Sequence, residues 1–301
     1  MNPVVNPGKR DRLWRSFTIA TPYLWLLLFF LVPFAIVLKI SFADPLVEQP
    51  PFTPFFDWSA SAGNIILATL DNYRFLLEDQ LYLVSYLKSI KIALISTGLC
   101  LLLGFPMAYA IALTPYPWRN LLLLLVILPF WTSFLLRVYA WMVMLGKQGL
   151  INNMLMSVGV IDKPLQMLYT DGAVYLGIVY TYVPFMILPL YATLERLNPD
   201  LHEAAADLGA RPRQVFRDVT LPLAMPGIIA GCLLVFIPAL GEYVIPALLG
   251  GLDSLMIGRT LYDEFFVNRD WPLASAVAVV LLLILILPIM LFQRLQQETD
   301  A

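Results

Sequence analysis

The sequence at residues 195–222 reads ERLNPDLHEAAADLGARPRQVFRDVTLP. It is the one long polar stretch that interrupts the apolar segments in the second half of the chain. Pro199 and Asp200 favour the start of a short helix, and Gly209 favours its end. A second short helix is predicted from Pro212. These residues therefore predict a helix–turn–helix on a membrane surface, with small positions that allow close contact with a partner and charges that set its register.

The rest of the chain has the composition of a membrane protein. Its 301 residues are 60% hydrophobic and only 13% charged, whereas about a quarter of the residues of a soluble domain are charged. A soluble core of this length cannot hide so much apolar surface. Part of the surrounding solvent is therefore lipid.

Six apolar segments are long enough to cross a bilayer as helices, which takes about 20 residues. We predict an all-α integral membrane protein with six transmembrane helices at residues 17–42, 86–113, 119–146, 172–194, 223–249 and 272–293. Many contain prolines, which predict kinks. Gly227 and Gly231 form a GxxxG step that predicts a close helix contact. The first segment exceeds the apolar region of a signal peptide, so we expect a retained anchor.

Lysine and arginine predict the orientation, because they concentrate in cytoplasmic segments. With the N-terminus inside, the inside segments hold Lys9, Arg10, Arg12, Arg15, Arg119, Arg196, Arg211, Arg213, Arg217 and Arg294, and the outside loops hold Arg74, Lys147, Lys163, Arg259 and Arg269. We therefore place both termini in the cytoplasm. The predicted parts are a cytoplasmic segment at 1–16, the first transmembrane helix at 17–42, a periplasmic loop at 43–85 with a short helix around 70–78, a five-helix core at 86–293 with the cytoplasmic loop 195–222, and a cytoplasmic tail at 294–301.

Acidic residues concentrate on the outside. A negative outer mouth raises the local concentration of a cationic solute. However, Lys39, Lys88, Lys91 and Arg137 lie towards the same boundary and offset part of this field. Charge alone does not decide whether the outer side of the protein attracts a cationic solute.

The polar stretch resembles a signature of the permeases of binding-protein-dependent ABC importers. That signature is Glu-Ala-Ala, three residues, Gly, nine residues, an aliphatic residue, one residue and Leu-Pro. It stands here as Glu203, Ala204, Ala205, Gly209, Val219, Leu221 and Pro222. Residues 130–141, 241–251 and 268–276 also resemble polyamine permeases, the putrescine type more closely than the spermidine type.

The resemblance implies a type-1 importer permease with MetI-like architecture and cytoplasmic coupling helices, a multi-pass protein of the bacterial inner membrane. It would form half of a path for a polyamine, putrescine first. Spermidine, iron, sulfate, phosphonate or thiamine remain alternatives, because their permeases share the loop. The implied partners are ABC ATPase subunits, a second permease subunit (distinct, or a second copy), a periplasmic polyamine-binding protein and membrane lipid, with no nucleic acid.

The residue inventory argues against chemistry on this chain. It has no GxxxxGK[ST] loop, so we expect no cofactor here and place ATP and Mg on the partner ATPase. His202 is the only histidine, and Cys100 and Cys232 lie inside apolar runs, so no metal site is predicted. We expect no enzyme activity. A secondary transporter is a distant alternative, because no internal repeat is evident, and we find no filter or charged ring typical of a channel.

Glu242 is the only acidic residue well inside an apolar segment, and such a carboxylate is a functional-site hypothesis by default. Arg137 lies at a similar depth on the third segment. Two readings stay open: a structural ion pair between Arg137 and Glu242, or a role for Glu242 in handling a cation. Aromatic residues near this level either face an ammonium group or pack at the interface; they are Trp131, Tyr139, Trp141 and Tyr243.

Overall fold

The structure, a computed structural model, describes residues 9–54, 56–57, 65–66, 68–251 and 254–299. These residues are almost entirely helical, as predicted. The helices are α1 (Lys9–Leu26), α2 (Val32–Ile40), α3 (Asp71–Glu78), α4 (Gln80–Leu113), α5 (Trp118–Ile127), α6 (Phe134–Leu145), α7 (Leu150–Ser157), α8 (Asp171–Leu194), α9 (Asp200–Asp207), α10 (Pro212–Val215), α11 (Leu221–Leu223), α12 (Met225–Leu240), α13 (Val244–Leu249), α14 (Ile257–Tyr262) and α15 (Trp271–Thr299). Short π-helical or 3-10 turns lie at Leu27–Leu31, Leu128–Trp131, Phe216–Thr220 and Asp263–Asn268. The two strands, β1 (Phe56–Asp57) and β2 (Ile65–Ile66), form one antiparallel pair.

Five helices of the described chain are long and apolar enough to cross a membrane. They are Phe17–Ile40, Gln80–Leu113, Phe134–Ser157, Asp171–Leu194 and Trp271–Met290. A sixth is obtained if Pro212–Leu223 and Met225–Leu240, which meet at 63°, form one bent span. The predicted count of six thus depends on a helix that bends where the polar loop enters it.

Three predicted boundaries are wrong. The third segment, 119–146, is not continuous, because the 3-10 turn Leu128–Trp131 contains Pro129 and the backbone at Thr132 is extended. The fifth segment, 223–249, stops at Gly241 and resumes as α13. The second segment, 86–113, belongs to a helix that begins earlier than predicted, because α4 starts at Gln80, where the side chain of Asp79 accepts a hydrogen bond from the backbone of Leu81.

The chain divides into two compact units, and the smaller comprises Met1–Glu78 with Glu264–Val280. In it, α3 confirms the predicted short helix around 70–78. The Asn72 amide donates to the backbone oxygens of Ser41 and Ala43, and the hydroxyls of Ser41 and Tyr73 lie 2.6 Å apart. These polar contacts join α3 to the end of α2.

The larger unit comprises Asp79–Asp263 with Leu281–Ala301, and α4, α8 and α12 pack against one another within it. Its buried core includes Ile92, Ile178, Met186 and Leu240. The GxxxG prediction is confirmed. A β-carbon on Gly227 would lie 2.5 Å from the Thr193 hydroxyl, and one on Gly231 would lie 2.7 Å from the Met186 sulfur. Glycine at both positions is what lets α12 approach α8 so closely.

Candidate functional site

The signature loop forms the predicted helix–turn–helix. After α9, Gly209 adopts φ +82°, a left-handed conformation that glycine takes without steric cost. Arg211 then precedes α10 as its N-cap, and its backbone N–H donates to the side chain of Gln214. A π-helical turn and α11 lead directly into α12. The chain therefore passes from the loop into a membrane helix without a flexible linker.

Two ring contacts join this loop to α4, and a third contact joins the two arms of the loop. Phe216 packs edge-on against Phe105 at 5.6 Å and Tyr109 at 6.2 Å between ring centroids, both on α4. His202 Nε2 lies 2.9 Å from the buried hydroxyl of Thr220, joining the two arms of the loop. The only histidine thus has a structural contact.

At the start of the loop, Arg119 donates to Glu195 at 2.7 Å. The pKa of Glu195 is lowered from its ordinary value of 4.5, first by a hydrogen bond from Tyr191 and then by Arg119. The ionised pair ties α5 to the end of α8.

None of the signature residues is buried within the chain. Glu203, Ala204 and Pro222 are exposed, and Ala205 and Leu221 are partly buried. Next to Gly209, Leu208 is 90% exposed. An apolar side chain this exposed at the tip of a polar loop is typical of a residue that a partner covers.

Glu242 lies at the other end of α12, and its carboxylate is used within the chain. It is 8% exposed. The hydroxyl of Tyr182 on α8 donates to Oε2 at 2.5 Å, and Oε1 accepts from the backbone N–H groups of Val244 at 3.0 Å and Ile245 at 3.4 Å. Glu242 therefore caps α13 and ties it to α8. The sequence did not predict this role of Glu242 or its hydrogen bond with Tyr182, because a turn of the chain at Gly241 was not expected.

Of the two readings left open for Glu242, the ion pair with Arg137 is not formed, since the described residues show no salt bridge between them. The Arg137 guanidinium carbon instead lies 5.3 Å from the ring centroid of Phe130 and 5.9 Å from that of Phe134. Tyr182 and the backbone of α13 take the position beside Glu242 that the arginine was expected to fill.

The four candidate aromatic residues do not form one group. Trp131 is 73% exposed and Tyr139 is 52% exposed. Trp141 packs edge-on against Tyr180 at 5.4 Å, and Tyr243 stacks on Tyr262 at 4.0 Å. Only Trp131 and Tyr139 present most of their surface to a ligand, a partner or lipid.

A cavity of about 780 Å³ lies in the larger unit and was not predicted. Among its lining residues, Asp171 accepts a hydrogen bond from Ser254 at 2.5 Å. Its wall includes Gly251, where a β-carbon would lie 2.6 Å from the backbone oxygen of Tyr169. Within the described ranges, no group of three or more histidine, cysteine or acidic side chains is arranged to hold a metal.

Comparison with known proteins places this geometry in context. The sequence profile of the family described as "Binding-protein-dependent transport system inner membrane component" matches residues 101–298. The chain is 41% identical over 281 residues to the "Spermidine/putrescine transport system permease protein PotB" of Haemophilus influenzae, covering 93% of each chain. It is 40% identical over 270 residues to the protein of the same name from Escherichia coli, covering 90% of this chain and 93% of the relative.

Two solved structures share the fold. A chain of the bacterial alginate ABC transporter, in complex with alginate pentasaccharide-bound periplasmic protein, matches with a TM-score of 0.68 and 21% identity, covering 97% of this chain and 96% of that one. A chain of the inward-facing MetNI methionine ABC transporter matches with a TM-score of 0.53 and 17% identity, covering 71% and 94%. These likenesses confirm the predicted fold class, an all-α arrangement of the MetI-like kind.

Proposed function

Since this chain belongs to the family of binding-protein-dependent transport system inner membrane components, and is an ABC importer permease rather than an enzyme, we propose that it forms half of the membrane path for uptake of a polyamine. Identity of about 40% over nine-tenths of the chain to relatives named as spermidine/putrescine permeases carries this proposal. Those names include both amines. The resemblance of residues 130–141, 241–251 and 268–276 to putrescine-type permeases makes putrescine the first substrate to test and spermidine the second. Iron, phosphonate, sulfate and thiamine are the alternatives that the shared loop signature leaves.

The loop at 195–222 is proposed to dock on an ABC ATPase subunit, which would bind the ATP and Mg. The exposed Leu208 gives the partner an apolar contact, and the exposed Glu203 on α9 supplies a charge that sets register. Because the loop continues into α12, a displacement of the ATPase groove would move that helix directly. This is the proposed route from ATP-driven closure to the solute path.

The chain alone would not make a transporter, so two further partners are proposed besides the ATPase. A periplasmic polyamine-binding protein would deliver the solute, and the alginate transporter, solved in complex with a periplasmic protein, supports a partner of this type. A second, related permease subunit would complete the path. Both termini are proposed to lie in the cytoplasm of a bacterium, on the ATPase side of the inner membrane.

The solute path is proposed to use exposed aromatic faces. A polyamine alternates alkyl segments with ammonium groups, so ring faces suit both parts of the molecule. Trp131 and Tyr139 are the exposed candidates, whereas Trp141 and Tyr243 already pack on tyrosine rings. Glu242 is hydrogen-bonded within the chain, so a direct role with the cation would require it to leave Tyr182.

The experiment that tests this function is uptake of labelled putrescine and spermidine in cells with the gene deleted and then restored, with other polyamine routes removed. Loss on deletion, recovery on restoration, and competition by unlabelled diamine are the expected results. Unchanged uptake of both amines would refute the polyamine assignment and leave the permease class intact. Uptake that persists when the ATPase is inactivated but stops when ion gradients are collapsed would instead indicate a secondary transporter.

A further inference from the structure

Arg137 carries a buried charge that the described part of the chain leaves without an anion. The residue is 9% exposed, and its Nε and Nη1 atoms have no hydrogen-bond partner. The rings of Phe130 and Phe134 attract the guanidinium group through their faces. They are no substitute for hydrogen-bond acceptors, because a guanidinium group has five N–H donors to satisfy. Buried charges in native proteins are paired, so we expect Arg137 to gain an anionic partner in the assembled protein.

The helices around Arg137 offer no free carboxylate. Those packed on α6 include α7, α8 and α13. The sequences of α6, α7 and α13 contain no aspartate or glutamate, and that of α8 contains only Asp171. Asp171 accepts from Ser254, and Glu242, which precedes α13, is bonded by Tyr182 and the α13 backbone. None of the helices packed on α6 therefore supplies the missing acceptor.

Arg137 lies where an outside group can reach it. On α6 its neighbours Leu136 and Tyr139 are 65% and 52% exposed, and Ala140, three residues further on, is exposed too. The arginine thus stands at the boundary between the packed face of α6 and a face that nothing in the described chain covers. A second protein seated on that face would come within reach of the guanidinium group.

The depth of Arg137 favours a protein acceptor over a lipid phosphate. Its neighbour Val138 packs in one cluster with Val174 and Ile178, which are in the first two turns of α8. At 1.5 Å per residue these positions lie about 5–11 Å inside the end of α8 that begins at Asp171. Since α8 has 24 residues, it is only slightly longer than the roughly 30 Å apolar zone. We therefore expect the arginine within that zone, below the level of the phosphates.

We propose that a carboxylate of the second, distinct permease subunit pairs with Arg137 and fixes the register of the two permeases. This inference rests on the proposed function, which supplies the second permease. A carboxylate accepts two parallel N–H bonds from a guanidinium group, which gives such a contact direction as well as strength. The Phe130 and Phe134 rings then hold the arginine ready for the partner, so less side-chain freedom is lost when the subunits meet.

The test compares the assembled transporter carrying Arg137→Leu or Arg137→Gln with the unchanged complex. Retention of the second permease on the tagged chain should fall roughly tenfold or more in both variants after detergent extraction, as expected for loss of a desolvated charge pair. The thermal stability of the tagged chain expressed alone should be unchanged or higher. Arg119→Gln is the matched control, because that arginine pairs within the chain; it should leave retention unchanged.

A charge reversal separates the possible outcomes. Arg137→Glu should abolish uptake, and selected suppressors should convert an acidic residue of the second permease to lysine or arginine. The proposal is overturned by full retention in the Leu and Gln variants, by destabilisation of the chain expressed alone, or by suppressors that map only within this chain. Activity that depends on anionic lipid while retention stays normal would assign the acceptor to lipid phosphate and also overturn it. Because retention does not require transport, absence of polyamine uptake by the unchanged complex would refute the proposed substrate without deciding this contact.

Discussion

Replacing Glu242 with alanine removes the acceptor for a buried hydroxyl and for the first backbone groups of α13. The bonds from Tyr182 at 2.5 Å and Val244 at 3.0 Å are the strong ones, and that from Ile245 at 3.4 Å is weak. A buried donor left without an acceptor costs about 1–3 kcal/mol. Two such donors predict a loss of about 2–6 kcal/mol, which corresponds to a decrease in Tm of roughly 3–10 °C for a chain of this length.

Glutamine at the same position should cost less than alanine. Its amide oxygen can still accept one bond, so we expect Glu242→Gln to lose about half as much stability. Tyr182→Phe should cost about 1–2 kcal/mol and should be strongly non-additive with Glu242→Ala, with a coupling energy of about 1–3 kcal/mol, because both changes remove the same bond. Thermal unfolding of the detergent-solubilised complex measures all four variants of this cycle.

Uptake decides between a structural role and a role with the cation. If Glu242 holds α13 in place, uptake per folded transporter should fall together with stability, and Tyr182→Phe should show the same relation. Asp162→Asn is the matched control, because that aspartate is exposed on the predicted outer side. A Glu242→Gln protein that melts like the unchanged one yet transports no amine would refute the structural reasoning, since only contact with the solute would then explain the loss.

Three further predictions concern other parts of the chain. Gly231→Ala should destabilise the protein by about 1–3 kcal/mol through overpacking against α8, whereas Gly98→Ala, which meets no atom within 4 Å, should not; equal Tm values would contradict the close contact. Gly209→Pro should uncouple ATP hydrolysis from transport without loss of membrane insertion, because proline cannot adopt φ +82°; failure of insertion would undercut this reading. The pKa of Glu195 is lowered from 4.5 in the folded protein. The ionised carboxylate therefore stabilises the fold above pH 4.5, and this stabilisation is lost as the pH falls through the lowered pKa. The Tm difference between the unchanged protein and Arg119→Gln should therefore be largest above pH 4.5 and narrow in acid, and a constant difference would exclude this linkage.

The signature loop and the helix pattern could be predicted from the sequence because both depend on local rules. The left-handed turn at Gly209 follows from residue type and position. The glycine step at Gly227 and Gly231 required only the spacing of small residues on one helix face. Each of the six segments located by hydropathy overlaps a continuous or bent span, although the third, 119–146, is displaced along the chain from its span, Phe134–Ser157.

The breaks in two apolar segments and the contacts of the buried Arg137 and Glu242 could not be predicted from local rules. The sequence stays apolar on both sides of Thr132 and of Tyr243, although the backbone leaves the helix near each of them. Hydropathy therefore predicts one continuous segment at each place. The depth estimate that paired Arg137 with Glu242 assumed straight helices at both places. Once the chain turns at Gly241, the Glu242 carboxylate faces Tyr182 and the start of α13 instead, and rise per residue no longer gives a distance between side chains.

The same turn explains how one helix can connect the cytoplasmic loop with the region near α13. At one end of α12, Thr220 of the loop contacts His202, and at the other end Glu242 holds Tyr182 on α8. Between these ends Gly227 and Gly231 bring α12 against α8 too closely for either helix to slide past the other. We therefore infer that α8, α12 and α13 respond to the loop as one body, since a hinge inside α12 would have to break this glycine contact. The mobile joint should then lie after α13, which ends at Leu249. A disulfide between α8 and α12 should leave transport intact, and loss of transport on forming it would show that the two helices must separate.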